Sequence, residues 1–240
     1  MASRLFTRIT LGLALGAALI APISPAMAQR PPEKEAVKPI KVDPIKRVTT
    51  MTYAVDADIA HDPDNVLLLD LSNGGRVAIR LMPEWAPHHV ERIKTLTKEG
   101  FYNGVIFHRV IEGFMAQTGD PTGTGQGGSK LPDLNAEFND IPHLRGTVSM
   151  ARTDEPNSAN SQFFIVFYPR FALDHKYTNF GRVIAGMDVV DSIVRGEPPK
   201  NPTKIVQASL ASEGKAPPPP PAPAAPAAIT ADMLSNSQSN

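Results

Sequence analysis

Residues 107–120 read Phe-His-Arg-Val-Ile-Glu-Gly-Phe-Met-Ala-Gln-Thr-Gly-Asp and set one basic side chain, Arg109, among Phe107, Val110, Phe114 and Met115. A guanidinium carries a fixed charge and presents its N–H donors in a rigid plane. One such cation beside an apolar surface suits electrostatic catalysis. Downstream, Gly146-Thr-Val-Ser-Met-Ala-Arg152 and Ser161-Gln-Phe-Phe-Ile165 add apolar and amide side chains, followed by Leu173-Asp174 and Phe180-Gly-Arg-Val183.

Other chemistries find less support. Gly123-Thr-Gly-Gln-Gly-Gly128 could cradle a phosphate, but it lacks the Gly-Lys-Ser/Thr ending of a P-loop and opens no evident helix. It reads as a flexible rim of a groove. The histidines at 61, 88, 89, 108, 143 and 175 show no metal-ligand spacing, and the adjacent pair His88 and His89 would point about 100° apart on a helix, so a surface position is expected for them. No metal or cofactor is implied. A serine hydrolase is equally unsupported, because no Gly-x-Ser-x-Gly elbow occurs and spacing indicates no His/Asp partner.

The elements that must hold these residues are short. Val66–Leu71 and Gly75–Leu81 flank Asn73-Gly74, a dipeptide suited to a tight hairpin. Between Pro83 and Glu99, Val90, Ile93, Leu96 and Thr97 recur at helical spacing, with Gly100 placed to end the helix. β-prone runs follow at Val105–Val110, Phe114–Thr118, Thr147–Ala151, Gln162–Phe167 and Asn179–Ile184. A second helix over Met187–Val194 and a closing strand over Lys204–Leu210 complete the pattern.

The 240 residues hold 24 Lys and Arg against 24 Asp and Glu, no Cys, and 24 Pro that crowd toward the ends. A disulfide framework and cysteine-based zinc sites are excluded, and nothing points to nucleic acid. Arg4 and Arg8 precede the apolar run Leu11–Ile20, and Ala26-Met-Ala28 offers a small-x-small cleavage pattern, so residues 1–28 read as a secretory signal. The apolar run is about half of the roughly 20 residues a spanning helix needs, so no stable membrane insertion is expected after processing. Cleavage after Ala28 removes two arginines and no acid, leaving 22 basic against 24 acidic residues, a charge of −2. The expected location is the periplasm or another extracytoplasmic space. Residues 29–60 read as an extension that is flexible or draped over the domain, 61–212 as one domain, and 213–240 as a Pro/Ala-rich tail.

From about Asn65 to Ala211 the motifs quoted above together resemble the cyclophilin family of peptidyl-prolyl isomerases. The resemblance implies a mainly β fold, a closed eight-stranded antiparallel barrel capped by two helices, which the run of short strands and two helices fits. It implies that the protein is an enzyme rotating Xaa-Pro bonds, with proline-containing peptides and unfolded exported proteins as partners and no cofactor, and a monomer is the default state. It assigns Phe114, Met115, Phe164 and Leu173 to a pocket for the proline ring, and Gln117 and Gln162 to amides that orient the arginine and the peptide backbone. His108 falls on the groove wall, and Ala151, Arg152 and Tyr177 fall at further substrate contacts. With Arg109 as donor and Gln117 beside it, catalysis needs no covalent step.

The barrier to rotation is about 18–20 kcal/mol because the planar amide loses its resonance. In the twisted state the prolyl nitrogen regains a lone pair, which a fixed donor binds better than it binds the planar ground state. The competing reading is a non-catalytic module or periplasmic chaperone that holds proline segments. Such a binder needs the apolar groove but not the arginine.

Three positions depart from the best-known eukaryotic pattern: Arg152 stands where an asparagine is usual, Tyr177 where a histidine is usual, and Phe171-Ala172-Leu173 where a tryptophan precedes the leucine. The loop Thr153–Asn160 is one residue longer. Losing an indole removes a donor and a large contact area, so cyclosporin is expected to bind weakly. Calorimetry should give a Kd above about 100 nM; tighter binding would refute this.

Overall fold

The computed structural model of the chain describes residues 53–219. Residues 1–52 and 220–240, which include the expected signal, most of the expected extension and the end of the expected tail, lie outside the described residues. The hairpin forms where Asn73-Gly74 predicts it: β1 (Val66–Leu71) pairs antiparallel with β2 (Arg76–Leu81), Val66 opposite Arg80 and Asp70 opposite Arg76. Gly74 supplies the positive φ of +93° that closes the turn. All six β1 residues are buried, on two faces. Leu67, Leu69 and Leu71 enter the main core, whereas Val66 and Leu68 pack with Ala78 on the other side.

Helix α1 (Pro87–Lys98) starts four residues later than expected, with Pro87 in its first turn, where the missing N–H is harmless. Val90, Ile93 and Leu96 bury its apolar stripe in the main core. The Glu137 carboxylate caps it, accepting the backbone N–H of His88 at 3.2 Å and of His89 at 3.1 Å, with each ring Nδ1 at 2.6 Å. The expectation that the histidines lie at the surface holds for His61, His88 and His175 and is corrected for His89, His108 and His143, which are buried. A neutral imidazole can be buried at modest cost where a carboxylate takes one nitrogen, as for His89 and His143.

The remaining strands are β3 (Arg109–Ile111), β4 (Met115–Thr118), β5 (Thr147–Met150), β6 (Phe163–Val166), β7 (Asn179–Ala185) and β8 (Ile205–Leu210), with the short helix α2 (Met187–Asp191) between the last two. One antiparallel sheet runs β3-β4-β6-β5-β7-β2-β1-β8. The barrel is therefore not closed, which corrects the expectation. The end strands β3 and β8 share no ladder, and the seam holds an isolated bridge, Ile106 to Lys204. Backbone bonds from Phe107 N to Thr203 O (2.9 Å) and Ile205 N to Val105 O (2.8 Å) satisfy that edge without a strand. The outer edge of β3 is taken instead by Gly196, which exchanges two bonds of 2.8 and 2.9 Å with Val110. An open, curled sheet with both edges occupied needs no final ladder.

Both ends of the described chain lie against the sheet. Arg80 donates to the carbonyls of Asp56, Asp58 and Asp62. Arg76 donates to Lys215 O and Gln207 to Ala216 O, which leads Pro217–219 toward β1 and β2. No helix among the described residues is long and apolar enough to cross a membrane.

Candidate active site

The two-residue period of the strands sorts the site from the core. Val110, Ala116, Val148, Phe163 and Ile165 face the main core. Their neighbours in sequence face the other way, and the register aligns them in one row: Arg109 opposite Gln117, Gln117 opposite Phe164, and Phe164 opposite Ser149. Met115, Phe164 and Val166 form a separate apolar cluster on this face, with Phe114, Ala151, Leu173 and Tyr177 packed against it.

The row borders a cavity of about 260 Å³ lined by Arg109, Phe114, Met115, Gln117, Ala151, Arg152, Phe164, Leu173 and Tyr177. Nine of the eleven residues expected at the site thus meet in one place. Leu173 arrives on the single turn Phe171–Leu173, and Tyr177 meets Phe164 edge to face at 5.6 Å. Gln162 lies one step away: Gln117 donates its amide to Gln162 Oε1 at 2.9 Å, and Gln162 lines an adjoining cavity of about 590 Å³ that shares Gln117, Ala151 and Arg152. His108 is not brought to either wall. It is buried beneath Gly125, and its ring nitrogens have no hydrogen-bond partner among the described residues. Burial holds it below the ordinary histidine value, with Asp120 pulling up and Arg109 pushing down.

Arg152 and Tyr177, two departures noted separately in the sequence, act together. The Arg152 guanidinium stacks over the Tyr177 ring at 4.8 Å. Its N–H groups go to the carbonyls of Lys176, Thr153 and Asp154. The pair braces the wall between the two cavities.

Three contributors escaped the sequence reading. Asp120, fully buried, accepts the amides of Thr122 (2.7 Å), Thr124 (3.0 Å), Gly125 (2.6 Å) and Gly127 (3.1 Å) as well as the Thr122 hydroxyl (2.7 Å). Burial raises its pKa, but these bonds prevail and hold it at about 2. The glycine-rich loop therefore spends its amides on its own carboxylate, which leaves no cradle for a phosphate. Gly127 permits this approach, since a Cβ there would sit 2.1 Å from Asp120 Oδ1. Gln162 Nε2 ties the loop to the site through Gly125 O (3.1 Å) and Gly127 O (2.7 Å). An Asp followed by Thr and Gly at these spacings is the signal that could have found it.

The second is Glu197, whose carboxylate accepts Arg109 Nε at 2.7 Å. It lies 88 residues downstream, and no local pattern announces it.

The third is a Ser-His-Asp constellation. His143 Nδ1 lies 2.7 Å from Asp174 Oδ1, and Nε2 lies 2.9 Å from Ser149 Oγ. Spacing indicates no His/Asp partner for a serine, and the fold supplies one for Ser149. The geometry resembles a hydrolase triad, but Ser149 and His143 are buried and no carbonyl substrate reaches the hydroxyl. Burial keeps His143 below the ordinary histidine value against the pull of Asp174. The network anchors the turn that carries Leu173, since Asp174 also accepts the His143 backbone N–H at 2.9 Å. A fluorophosphonate probe should leave Ser149 of the folded protein unlabelled, and labelling at Ser149 by mass spectrometry would contradict this.

Comparison with known proteins agrees with this geometry. The family model for cyclophilin type peptidyl-prolyl cis-trans isomerases matches residues 67–210. A probable peptidyl-prolyl cis-trans isomerase of Brucella suis biovar 1 (strain 1330) is 49% identical over 178 residues, covering 68% of this chain and 90% of the relative. The peptidyl-prolyl cis-trans isomerase-like 1 protein of Aspergillus fumigatus is 42% identical over 149 residues, covering 58% of this chain and 92% of the relative. Among solved structures, cyclophilin AquaCyp293 from Hirschia baltica aligns with a TM-score of 0.59 at 34% identity, over 63% of this chain and 76% of that one. A Cryptosporidium parvum cyclophilin type isomerase, crystallised in the presence of the dipeptide Ala-Pro, aligns at 0.56 and 28% identity, over 60% and 98%.

Proposed function

This chain belongs to the cyclophilin-type peptidyl-prolyl cis-trans isomerases, and from that premise we propose that it is exported, processed after Ala28, and accelerates Xaa-Pro rotation in proteins folding outside the cytoplasm. The activity itself is isomerisation of the prolyl peptide bond. Within the proposal the prolyl ring enters the cavity of Phe114, Met115, Phe164 and Leu173. At about 260 Å³ it lies below the roughly 300–1,000 Å³ of pockets that hold drug-sized ligands, as suits one small ring. Proline-containing peptides are the partners, consistent with the Ala-Pro crystallised with the Cryptosporidium relative. The larger neighbouring cavity takes residues that flank the proline.

The twisted amide has less charge separation than the planar one. Moving it from water to an apolar wall disfavours the ground state more than the transition state. Arg109 then donates to the pyramidal prolyl nitrogen, and Gln117, held by Gln162, orients donor and peptide. The observation that carries the assignment is the presence of Arg109 in the same wall as Phe114, Phe164 and Leu173. A pure proline-binding module would give that cation no task.

The exported location rests on the leader composition, Arg4 and Arg8 ahead of Leu11–Ile20 and Ala26-Met-Ala28. Expressed in a Gram-negative host, the protein should be recovered from the periplasmic fraction with Gln29 as its first residue. Recovery from the cytosol with the leader intact would count against export.

A further inference from the structure

We propose that Glu197 is a positioning residue for Arg109, holding the guanidinium by its Nε so that the two amino groups stay turned to the prolyl cavity. The inference rests on the reading of Arg109 as the donor. Glu197 Oε2 accepts Nε at 2.7 Å, and among the described residues Arg109 makes no other hydrogen bond. Its Nη groups are thus left for substrate. An unrestrained arginine side chain samples many rotamers, and a donor that must meet one nitrogen in one geometry gains from being fixed beforehand.

The pairing is built into the backbone. Val110, next to Arg109, exchanges bonds of 2.8 and 2.9 Å with Gly196, next to Glu197. The two side chains therefore leave neighbouring points on two bonded segments, strand β3 and the loop that carries Gly196. About half of each side chain remains exposed, 42% for Arg109 and 51% for Glu197. A pair so exposed adds little to stability, so its presence beside the cavity is accounted for by orientation. The opposite effect is also physically defined: a carboxylate could drain positive potential from the guanidinium and slow the reaction.

The sign of the effect decides, measured on a neutral Xaa-Pro peptide with kcat and KM separated and Tm recorded. Glu197→Ala should lower kcat by about three- to tenfold, a partial loss of orientation, with KM and Tm unchanged. Glu197→Gln keeps an acceptor oxygen for Nε and should retain most of the activity. In an Arg109→Ala background Glu197→Ala should have no further effect. A Glu197→Ala enzyme as fast as wild type or faster, one whose loss tracks a fall in Tm, or an equal loss without Arg109 would overturn the proposal and leave the role of Arg109 intact. An Arg109→Ala enzyme as active as wild type would overturn that role instead.

Discussion

Arg109→Ala is expected to lower kcat/KM on an Xaa-Pro peptide by about 10- to 100-fold, because a hydrogen bond from a charged donor contributes about 1.5–3 kcal/mol and each 1.36 kcal/mol is a factor of ten. The loss should fall on kcat, since the bond strengthens only as the prolyl nitrogen becomes pyramidal. Stability should barely change: Arg109 lies on the face of β3 opposite the main core, with 42% of its side chain exposed. Arg109→Lys should recover only part of the rate. A single ammonium cannot hold Glu197 and present a planar set of donors at once. Stopped-flow or NMR exchange kinetics with a matched melting curve provides the check, and a folded variant of wild-type rate would contradict the assignment.

Asp120→Ala should have the largest effect on stability, about 2–4 kcal/mol. It strips four amides and a hydroxyl of one buried charged acceptor, at about 1.5–3 kcal/mol for each charge-assisted bond but with water replacing several of them. Activity should fall as well, because the same loop holds Gln162, which holds Gln117. The pH dependence has a defined sign. The folded carboxyl titrates at about 2 against an ordinary 3.8, so it contributes stability above the ordinary value, and that contribution is lost as pH falls from about 4 through about 2. At about 1.36 kcal/mol per pKa unit this is roughly 2 kcal/mol. Denaturant melts should show wild type losing more stability than the variant between pH 4 and pH 2; parallel losses would contradict the account.

Much of the site could be read from the sequence because strand periodicity and the two long motifs constrain it locally. Phe163 and Phe164 look alike as letters, and only the alternation along β6 sends one to the main core and the other to the cavity. The hairpin at Asn73-Gly74 and the Val90, Ile93, Leu96 stripe are likewise short-range patterns, and both form as expected. What was not legible depends on contacts distant in the chain. Openness of the sheet turns on Gly196 meeting Val110 and on the 104–107 segment meeting Thr203 and Ile205. Glu197 meets Arg109 across the same seam. His143, Asp174 and Ser149 come from three separate segments, so their spacing carries no sign of the network. His89 and His143 depart from the expected surface position because carboxylate partners distant in the chain, Glu137 and Asp174, make burial of an imidazole tolerable.

The most direct test of the central claim is an NMR exchange experiment on a short Xaa-Pro peptide with the purified protein, recording cis/trans exchange and intermolecular contacts together. The account predicts accelerated exchange, with prolyl ring protons showing cross-peaks to the ring protons of Phe114 and Phe164 and to the Leu173 methyls. Accelerated exchange with the prolyl ring contacting another surface, or no acceleration from the folded protein, would contradict it.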